Sequence, residues 1–521
     1  MAYPHGVYIN EDPTPVITPV QSDSAIQVVI GTAPINTALD MVAAVNRPIL
    51  INSFTEAIKA VGYSDDFNRF SLCQSVGASF RVFNVAPLVL INVLDPGKHT
   101  THVEGMDRAP ADKKLTVGEL GVILESVEIQ GDGVNLVRDT DFSTAFDDKG
   151  NLVIFTEEVY QLLTLSYDYL DPAKVTELDI IGGYNAQTGE YTGLELIEQI
   201  YPRLGILPGQ ILAPGWSHLP SVNAVMTAKL TNINGGFKCI GVSDLNTTEA
   251  HTYDRAYAWK NDNGYVNENL VVCWPKVKVA EKVYYMSAIW AALTAYVDSK
   301  HESVPYKSPS NELMRITGTV IELGSIQQAV LSNYSANTTG AFLEEPDGMS
   351  EAYLESQDPF EKYHLETYLD QLQANYLNGL GICTALNLNG WRSWGNNTSV
   401  YPNSSDVKDR YIPVRRMFNW WGNTFILTYF QLVDDPANLR LIEAVVDSEN
   451  IRANGFQSKG MIAFGRIEFN MDENPITDIL NGQIHFRQRL AFFTPAEAII
   501  NTLIFDPLAL QNYLIRGETF G

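Results

Sequence analysis

The sequence predicts an α/β (α+β) multidomain protein: an α/β core, an antiparallel β domain inserted into it, and extended terminal arms. Three observations carry that expectation. The length of 521 residues exceeds the roughly 250–300 over which a single hydrophobic core keeps growing. Apolar runs of strand length alternate with helix-like segments over residues 26–94, and again beyond 193, as buried parallel strands with crossover helices would. Between those stretches, residues 98–190 carry short strand-like runs separated by closely spaced acidic turns, the pattern of a small antiparallel unit.

Taken in order, the first twenty residues read as an arm. Gly6-Val7-Tyr8-Ile9 has the β-branched and aromatic character of a short strand, and Pro4, Pro13, Pro15 and Pro19 keep the segment extended. Ile26 to Ile30, closed by Gly31, and Pro48-Ile49-Leu50-Ile51 are the first core strands. Ser53 caps the next helix with Glu56 at capping-box spacing, and that helix stops near Gly62. A second helix around Phe70 to Phe80 leads into the apolar run Leu88 to Leu94, a buried central strand. The inserted unit reads as strands at Val122 to Ile129, Asn135 to Arg138 and Leu152 to Thr156, parted by Gly131-Asp132-Gly133 and Asp147-Asp148-Lys149-Gly150. The α/β pattern then resumes with a helix from Gly193 to Leu204, strands at Gln210, Lys238 to Val242 and Leu270 to Trp274, and a long helix from Ala280 to Asp298. Near the end, His485 to Phe493 and Ala498 to Phe505 are strand-like runs separated by Thr494-Pro495. The second is strongly apolar, and left unpaired it is an aggregation hazard, so a partner in an assembly is expected.

The composition narrows the function. A formal charge of −26 argues against nucleic-acid binding, where basic patches supply most of the affinity. Residues 98–190 hold 18 acidic and 7 basic side chains, whereas 405–521 hold 14 and 11. The acid therefore reads as a solvated outer surface, and the balanced C-terminal part suits close packing on another protein. No apolar run reaches the ~20 residues of a membrane helix, and the start lacks a secretory signal pattern. Cys73, Cys239, Cys273 and Cys383 are spread without a CxxC pair, so reduced, buried thiols are expected.

Chemistry is hard to place. There is no P-loop and no GxGxxG after a strand. Gly215-Trp216-Ser217-His218 lacks the second glycine of a nucleophile elbow. His99 and His102 stand three apart in what reads as a solvated loop. The acidic pairs Asp65-Asp66, Glu344-Glu345 and Asp434-Asp435 are adjacent and share no helix face. Trp391, Trp394, Trp420 and Trp421 could form a sugar-stacking platform, yet large aromatics more often fill cores and interfaces. No catalytic, cofactor or metal site is expected.

Four motifs then occur in order across the chain. They are His5-Gly6-Val7-Tyr8-Ile9, followed by Pro48-Ile49-Leu50-Ile51-Asn52-Ser53-Phe54-Thr55-Glu56 with Gly62-Tyr63; Ser308-Pro309-Ser310-Asn311 ahead of Ile316-Thr317-Gly318; Gly390-Trp391-Arg392-Ser393-Trp394-Gly395-Asn396-Asn397-Thr398; and Tyr411-Ile412-Pro413-Val414-Arg415-Arg416. With them the whole chain resembles the tail sheath family of contractile phages, R-type bacteriocins and related contractile injection systems. Two departures stand out: His5 occupies the place of a proline, and Asn397-Thr398 replaces the family's Arg-Thr, so no role of that arginine carries over.

The resemblance implies a structural protein of the virion tail and not an enzyme. It would be assembled in the bacterial host cytoplasm as stacked six-subunit rings around an inner tail tube, and would contract to drive that tube through the target envelope during genome ejection. Implied partners are neighbouring sheath subunits, the inner tail tube protein, and baseplate and tail terminator proteins, with no direct nucleic acid, no membrane insertion and no cofactor. Residues 1–20 and 496–521 become arms that add strands to neighbours, through Gly6, Val7, Tyr8, Ile9, Ile499, Ile500, Leu503, Ile504 and Phe505. Residues 21–97 and 191–340 form a discontinuous α/β domain, 98–190 an outward-facing insertion, and 341–495 a tube-facing domain in which Arg415 and Arg416 contact the tube or another subunit. The rival readings are another tail or baseplate structural protein, and a surface carbohydrate-binding protein built on the tryptophans.

Overall fold

The computed structural model describes residues 20–323, 362 and 364–517. Strands β1 (Gln27–Gly31), β2 (Ile49–Ile51) and β3 (Leu88–Asn92) come first. Seven more follow: β4 (Thr100–Arg108), β5 (Lys114–Leu120), β6 (Glu128–Gly131), β7 (Val134–Asn135), β8 (Phe142–Phe146), β9 (Asn151–Thr156) and β10 (Leu163–Leu170). After the hairpin β11–β12 (Gly183–Asn185 and Glu190–Thr192), the chain returns with β13 (Gln210–Leu212), β14 (Ile240–Asp244) and β15 (Leu270–Cys273).

The main sheet runs β15-β14-β13-β1-β3-β2, parallel throughout except for β2. Every residue of β1, β3, β13, β14 and β15 is buried, which is why these strands read as continuous apolar runs and not as alternating ones. Around the sheet lie α1 (Phe54–Val61), α2 (Leu72–Val76), α3 (Pro220–Ala228), α4 (Tyr253–Asp262) and α5 (Met286–Ser299). The α1 start is capped in both directions: Glu56 N–H donates to Ser53 Oγ at 3.2 Å, and Glu56 Oε2 accepts from Asn52 N at 2.6 Å. Twelve of the fourteen residues of α5 are buried, so this helix is apolar on nearly all sides.

Several expected elements differ. The helix around Phe70 to Phe80 is α2 followed by a π-helical segment, Gly77–Phe83. The helix expected from Ala280 begins at Met286, because Lys276–Val279 (β16) and Lys282–Tyr284 (β17) pair as a hairpin across Ala280, which adopts φ 54°. The Gly193–Leu204 helix is a 3-10 segment to Gln199 and a short α-helix after it. Within Val122–Ile129 only Glu128 onward is strand, after a 3-10 turn at Leu124–Ser126.

The insertion forms two sheets, β4-β10-β6-β7 and β5-β9-β8, around its own core of Leu115, Val117, Ile129, Phe142, Leu152, Ile154, Leu163 and Leu165. Its two ends meet where Asp171 N–H donates to His99 O at 2.7 Å. The expectation of a solvated loop for His99 to His102 is overturned. Thr100 opens β4, His99 is buried against Asp179 (Nε2 to Oδ1, 3.5 Å), and only His102 is exposed, on Asp168.

Beyond β17, strands β18 (Gly318–Glu322) and β19 (His364–Thr367) complete a four-stranded sheet in the order β17-β16-β18-β19. Helix α6 (Gln371–Asn378) and the hairpin β20–β21 (Thr384–Asn387 and Trp391–Trp394) follow. Leu365, Leu377, Ile382, Cys383, Ala385 and Ile412 lie in the same hydrophobic cluster as the main sheet, so residues 364–412 share that core. Then come α7 (Val407–Arg410), α8 (Ile412–Tyr429), α9 (Leu439–Ser458), and the two-stranded sheet β22–β23 (Phe464–Phe469 and Phe486–Ala491). The last described element is the helix α10 (Pro507–Gly517).

Candidate assembly interface

The sequence motifs from the last two-fifths of the chain converge in space. Ser308 Oγ donates to Asn396 Oδ1 at 2.5 Å, Gly395 N–H to Ser310 Oγ at 3.1 Å, and Asn311 N–H to Ser393 O at 2.6 Å. On the other side, Thr398 N–H bonds Arg410 O at 2.7 Å and Ile412 N–H bonds Asn396 O at 2.8 Å. The three motifs thus form one seam that sets the direction in which α8 leaves. Pro413 stands in the first turn of α8, where its missing N–H costs no helix bond.

Along α8, residues 416, 420, 424 and 428 recur at four-residue spacing and form one stripe. The segment from Val20 to Ser24 lies along it. Val20 N–H donates to Thr428 Oγ1 at 3.1 Å, Ser22 N–H to Thr424 Oγ1 at 3.2 Å, and Trp420 Nε1–H to Ser22 O at 2.6 Å. Ser24 Oγ lies 2.8 Å from Asp298 Oδ2, the carboxylate that also receives the fork of Arg416. Sequence reasoning missed this stripe. Its signal was a buried side chain able to hydrogen-bond at every fourth position, Arg416, Trp420, Thr424 and Thr428. Residues Gly6, Val7, Tyr8 and Ile9 lie outside the described residues.

The arginine pair is placed differently from expectation. Arg416 has a side chain 3% exposed and is paired with Asp298 inside the chain. A contact with the tube or another subunit would leave that buried carboxylate without its partner, so Arg416 is a core residue. Arg415 is 11% exposed, its Nη1 3.2 Å from Asp409 Oδ1 and its guanidinium over the ring of Phe418.

At the C-terminal end, Phe492 follows β23 and packs its ring on Phe418 and Trp421, with centroids 4.9 and 6.0 Å away. Glu497 pairs with Arg410 at 3.0 Å, and Arg410 itself stacks on Tyr401 and Tyr411. From 496 to 515 every residue is exposed. Ile499, Ile500, Leu503, Ile504 and Phe505 are between 76% and 91% exposed, and the chain there has no secondary structure until α10. Ala498 to Phe505, expected to be a strand, has no secondary structure here, because no neighbouring strand among the described residues offers it hydrogen bonds. The sheet β22–β23 has no third strand among the described residues, and each strand keeps one unpaired edge.

The remaining candidates do not assemble a reactive centre. Ser217 is buried and bonded to Asp244, while His218 stacks on Tyr285 with centroids 5.5 Å apart. Asp244, at the end of β14, caps α5 by accepting from Ser287 N at 2.8 Å, and burial raises its carboxyl to about 6. Trp420 and Trp421 are buried and offer no face to a sugar. Trp391 packs on the main core, and Trp394 donates to Asn375 Oδ1 at 2.8 Å. The four cysteines are buried free thiols. Among the described residues, no group of three His, Cys, Asp or Glu side chains converges on one point, and no helix is long and apolar enough to cross a membrane.

No family model matches the chain. Similarity to individual proteins is nevertheless extensive. The chain is 24% identical over 520 residues to the tail sheath protein of Burkholderia phage BcepMu, covering 95% of each. It is 22% identical over 371 residues to a putative prophage major tail sheath protein of Pseudomonas aeruginosa, covering 70% of this chain and 83% of that one. Its fold is shared with the sheath complex of an extracellular contractile injection system (PVC) in the contracted state, at a TM-score of 0.54 and 16% identity over 98% of this chain and 99% of that one. The helical sheath of the anti-feeding prophage in its contracted state matches with a TM-score of 0.53 and 15% identity, over 96% and 99%. A sequence match running nearly the length of both chains, joined to that shared fold, makes this chain similar to the contractile tail sheath proteins over almost its whole length.

Proposed function

We propose that the chain is the polymerising structural subunit of a contractile tail sheath, and that its two ends are the parts that build the lattice. The supporting observation is the exposed stretch 496–515, which carries ten large apolar side chains from Ile499 to Ile515. Burying a Leu, Ile or Phe side chain is worth about 1.5–3 kcal/mol, so burial of Ile499, Ile500, Leu503, Ile504 and Phe505 together supplies on the order of 10 kcal/mol before association costs. A second copy of this chain offers the matching acceptor, an unpaired edge of β22–β23. Strand addition from both ends, including Gly6 to Ile9, links each subunit to its neighbours. Because the donated and accepting surfaces differ, the contact is heterologous and grows as an open helix.

In this reading rings of six subunits stack around an inner tube, with residues beyond 412 toward the tube and the acidic insertion outward. Baseplate and terminator proteins bound the sheath, which assembles in the host cytoplasm. Contraction that buries roughly 500 Å² more apolar surface per subunit releases on the order of 12 kcal/mol, so the extended form is held by a kinetic barrier. The subunit works mechanically and not as an enzyme.

Electron microscopy of the purified full-length protein tests the reading. Striated tubes are expected. A protein that stays a monodisperse monomer at high concentration would sink it.

A further inference from the structure

The two arms leave from opposite ends of the sequence, yet both are rooted on the same helix. The N-terminal root runs antiparallel to α8, with Ser24 bonded to the Asp298–Arg416 pair, Ser22 at Trp420 and Thr424, and Val20 at Thr428. Thr428 donates its own hydroxyl proton to Thr424 O at 2.7 Å. The lone pairs of Thr428 Oγ1 are thereby left to receive the backbone of Val20. The C-terminal root sits on the neighbouring face of the same helix, where Phe492 packs against Phe418 and Trp421, and Glu497 reaches Arg410 just ahead of α8.

The join falls on two consecutive residues. Trp420 holds the N-terminal root through its indole N–H, and Trp421 holds the C-terminal root through its ring. The two indoles meet edge to face with centroids 6.1 Å apart, and Phe456 of α9 braces both, at 5.4 and 5.7 Å. Arg452, paired with Glu449, lies over the Trp421 ring at 3.8 Å. Trp420, Trp421, Phe456, Glu449 and Arg452 are buried, and Phe418 and Phe492 are half-buried. A close-packed cluster of this kind transmits displacement and does not absorb it.

We infer that the Trp420–Trp421 pair couples the two terminal arms within each subunit, so that tension on one arm passes to the other along α8. This inference rests on the strand-exchange reading above. It adds that both roots stay seated during contraction and that the shape change is taken up elsewhere.

The test uses the full-length protein in two forms. In the first, Val20→Cys and Thr428→Cys are joined by oxidation, which pins the N-terminal root to α8. In the second, Thr424→Val and Thr428→Val remove the two hydroxyl acceptors. Sheaths are triggered to contract with a mild denaturant pulse and their lengths are read by negative-stain microscopy. Pinned sheaths are expected to contract to the same final length as the unmodified protein. The valine variant is expected to fold with a lowered melting temperature, because the buried Ser22 N–H loses its acceptor, while its sheaths break into short pieces on contraction. Pinned sheaths that stay extended until reduced, or valine sheaths that contract unbroken, would overturn the coupling while leaving strand exchange intact. Should the valine variant fail to fold, the pinned form alone decides. If the unmodified protein forms no sheath at all, the strand-exchange reading falls and the coupling falls with it.

Discussion

Arg416 on α8 forks onto Asp298, near the C-terminal end of α5 and 118 residues away, with both side chains almost wholly buried. The pair fastens α8 to the α/β core and receives Ser24 as a third member. Removing one charge strands the other in a poorly solvated site. Arg416→Ala or Asp298→Ala should therefore cost about 3–5 kcal/mol, read from denaturant midpoints of the monomer. Replacing both residues together with apolar ones of similar volume should cost far less than the sum of the single changes. If the single changes prove neutral, the buried pairing is wrong.

The exposed run at 499–505 separates folding from assembly. Ile500→Asp with Leu503→Asp alters side chains 87–88% exposed, so monomer stability should change by no more than about 0.5 kcal/mol per site. Tube formation should be lost, because a charge cannot enter a strand-to-strand interface without a partner. Melting curves and microscopy on the same samples check both halves.

Removal of either end should act similarly. Chains lacking residues 1–19, or everything after 495, are expected to elute as folded monomers with near-native circular dichroism and to form no tubes. Normal sheaths from either truncation would contradict lattice building through the arms.

The insertion should be dispensable for folding. Its ends are bridged by the bond from Asp171 N–H to His99 O, and its core is its own. Replacing residues 100–170 with a short Gly-Ser linker should leave a cooperative unfolding transition at somewhat lower stability, because Val122 and Leu170 lose their contacts with the main body. Tube formation should persist if the insertion faces outward.

Two carboxylates set opposite pH dependences. Burial alone would raise Glu322, but the adjacent Lys276 and Lys362 prevail and hold it at about 2, below its ordinary 4.5. A lowered carboxyl contributes stability above pH 4.5 that is lost as pH falls toward 2. Asp244 is the reverse, since burial outweighs its bonds from Ser287 and lifts it from 3.8 to about 6. Its contribution is complete below 3.8 and is lost as pH rises through about 6. Glu322→Gln should flatten the acid limb of the stability profile, and Asp244→Asn the decline between about pH 4 and 6. Denaturant midpoints measured across pH 2–7 check both.

Much of the architecture was legible because burial writes itself into composition. The runs at Gln27–Gly31 and Leu88–Asn92 could be read as central strands, since only strands covered on both faces are apolar without alternation. Ser53 and Glu56 announced a helix start through local hydrogen bonds that need no tertiary context. The short strands between Thr100 and Leu170 were legible in the turn spacing. Where elements failed, the cause was non-local or turned on backbone detail: the hairpin at Lys276–Tyr284 interrupts an apolar stretch that periodicity alone joins to α5, and His99 was buried by Asp179, eighty residues away.

The ends and the motifs divide the same way. Sequence alone determined that Ala498 to Phe505 is too apolar to be left bare, that no catalytic motif is written in the chain, and that four motifs follow one another in the order seen in sheath proteins. Only the tertiary structure decided that Arg416 is an internal residue, that three of those motifs zip together beside α8, and that both arms are rooted on Trp420 and Trp421. The physical reason is range. Hydrophobic pattern and capping act within a few residues, whereas the buried ion pair joins residues 118 apart and the root on α8 joins residues 408 apart, and neither exists until those segments have packed together.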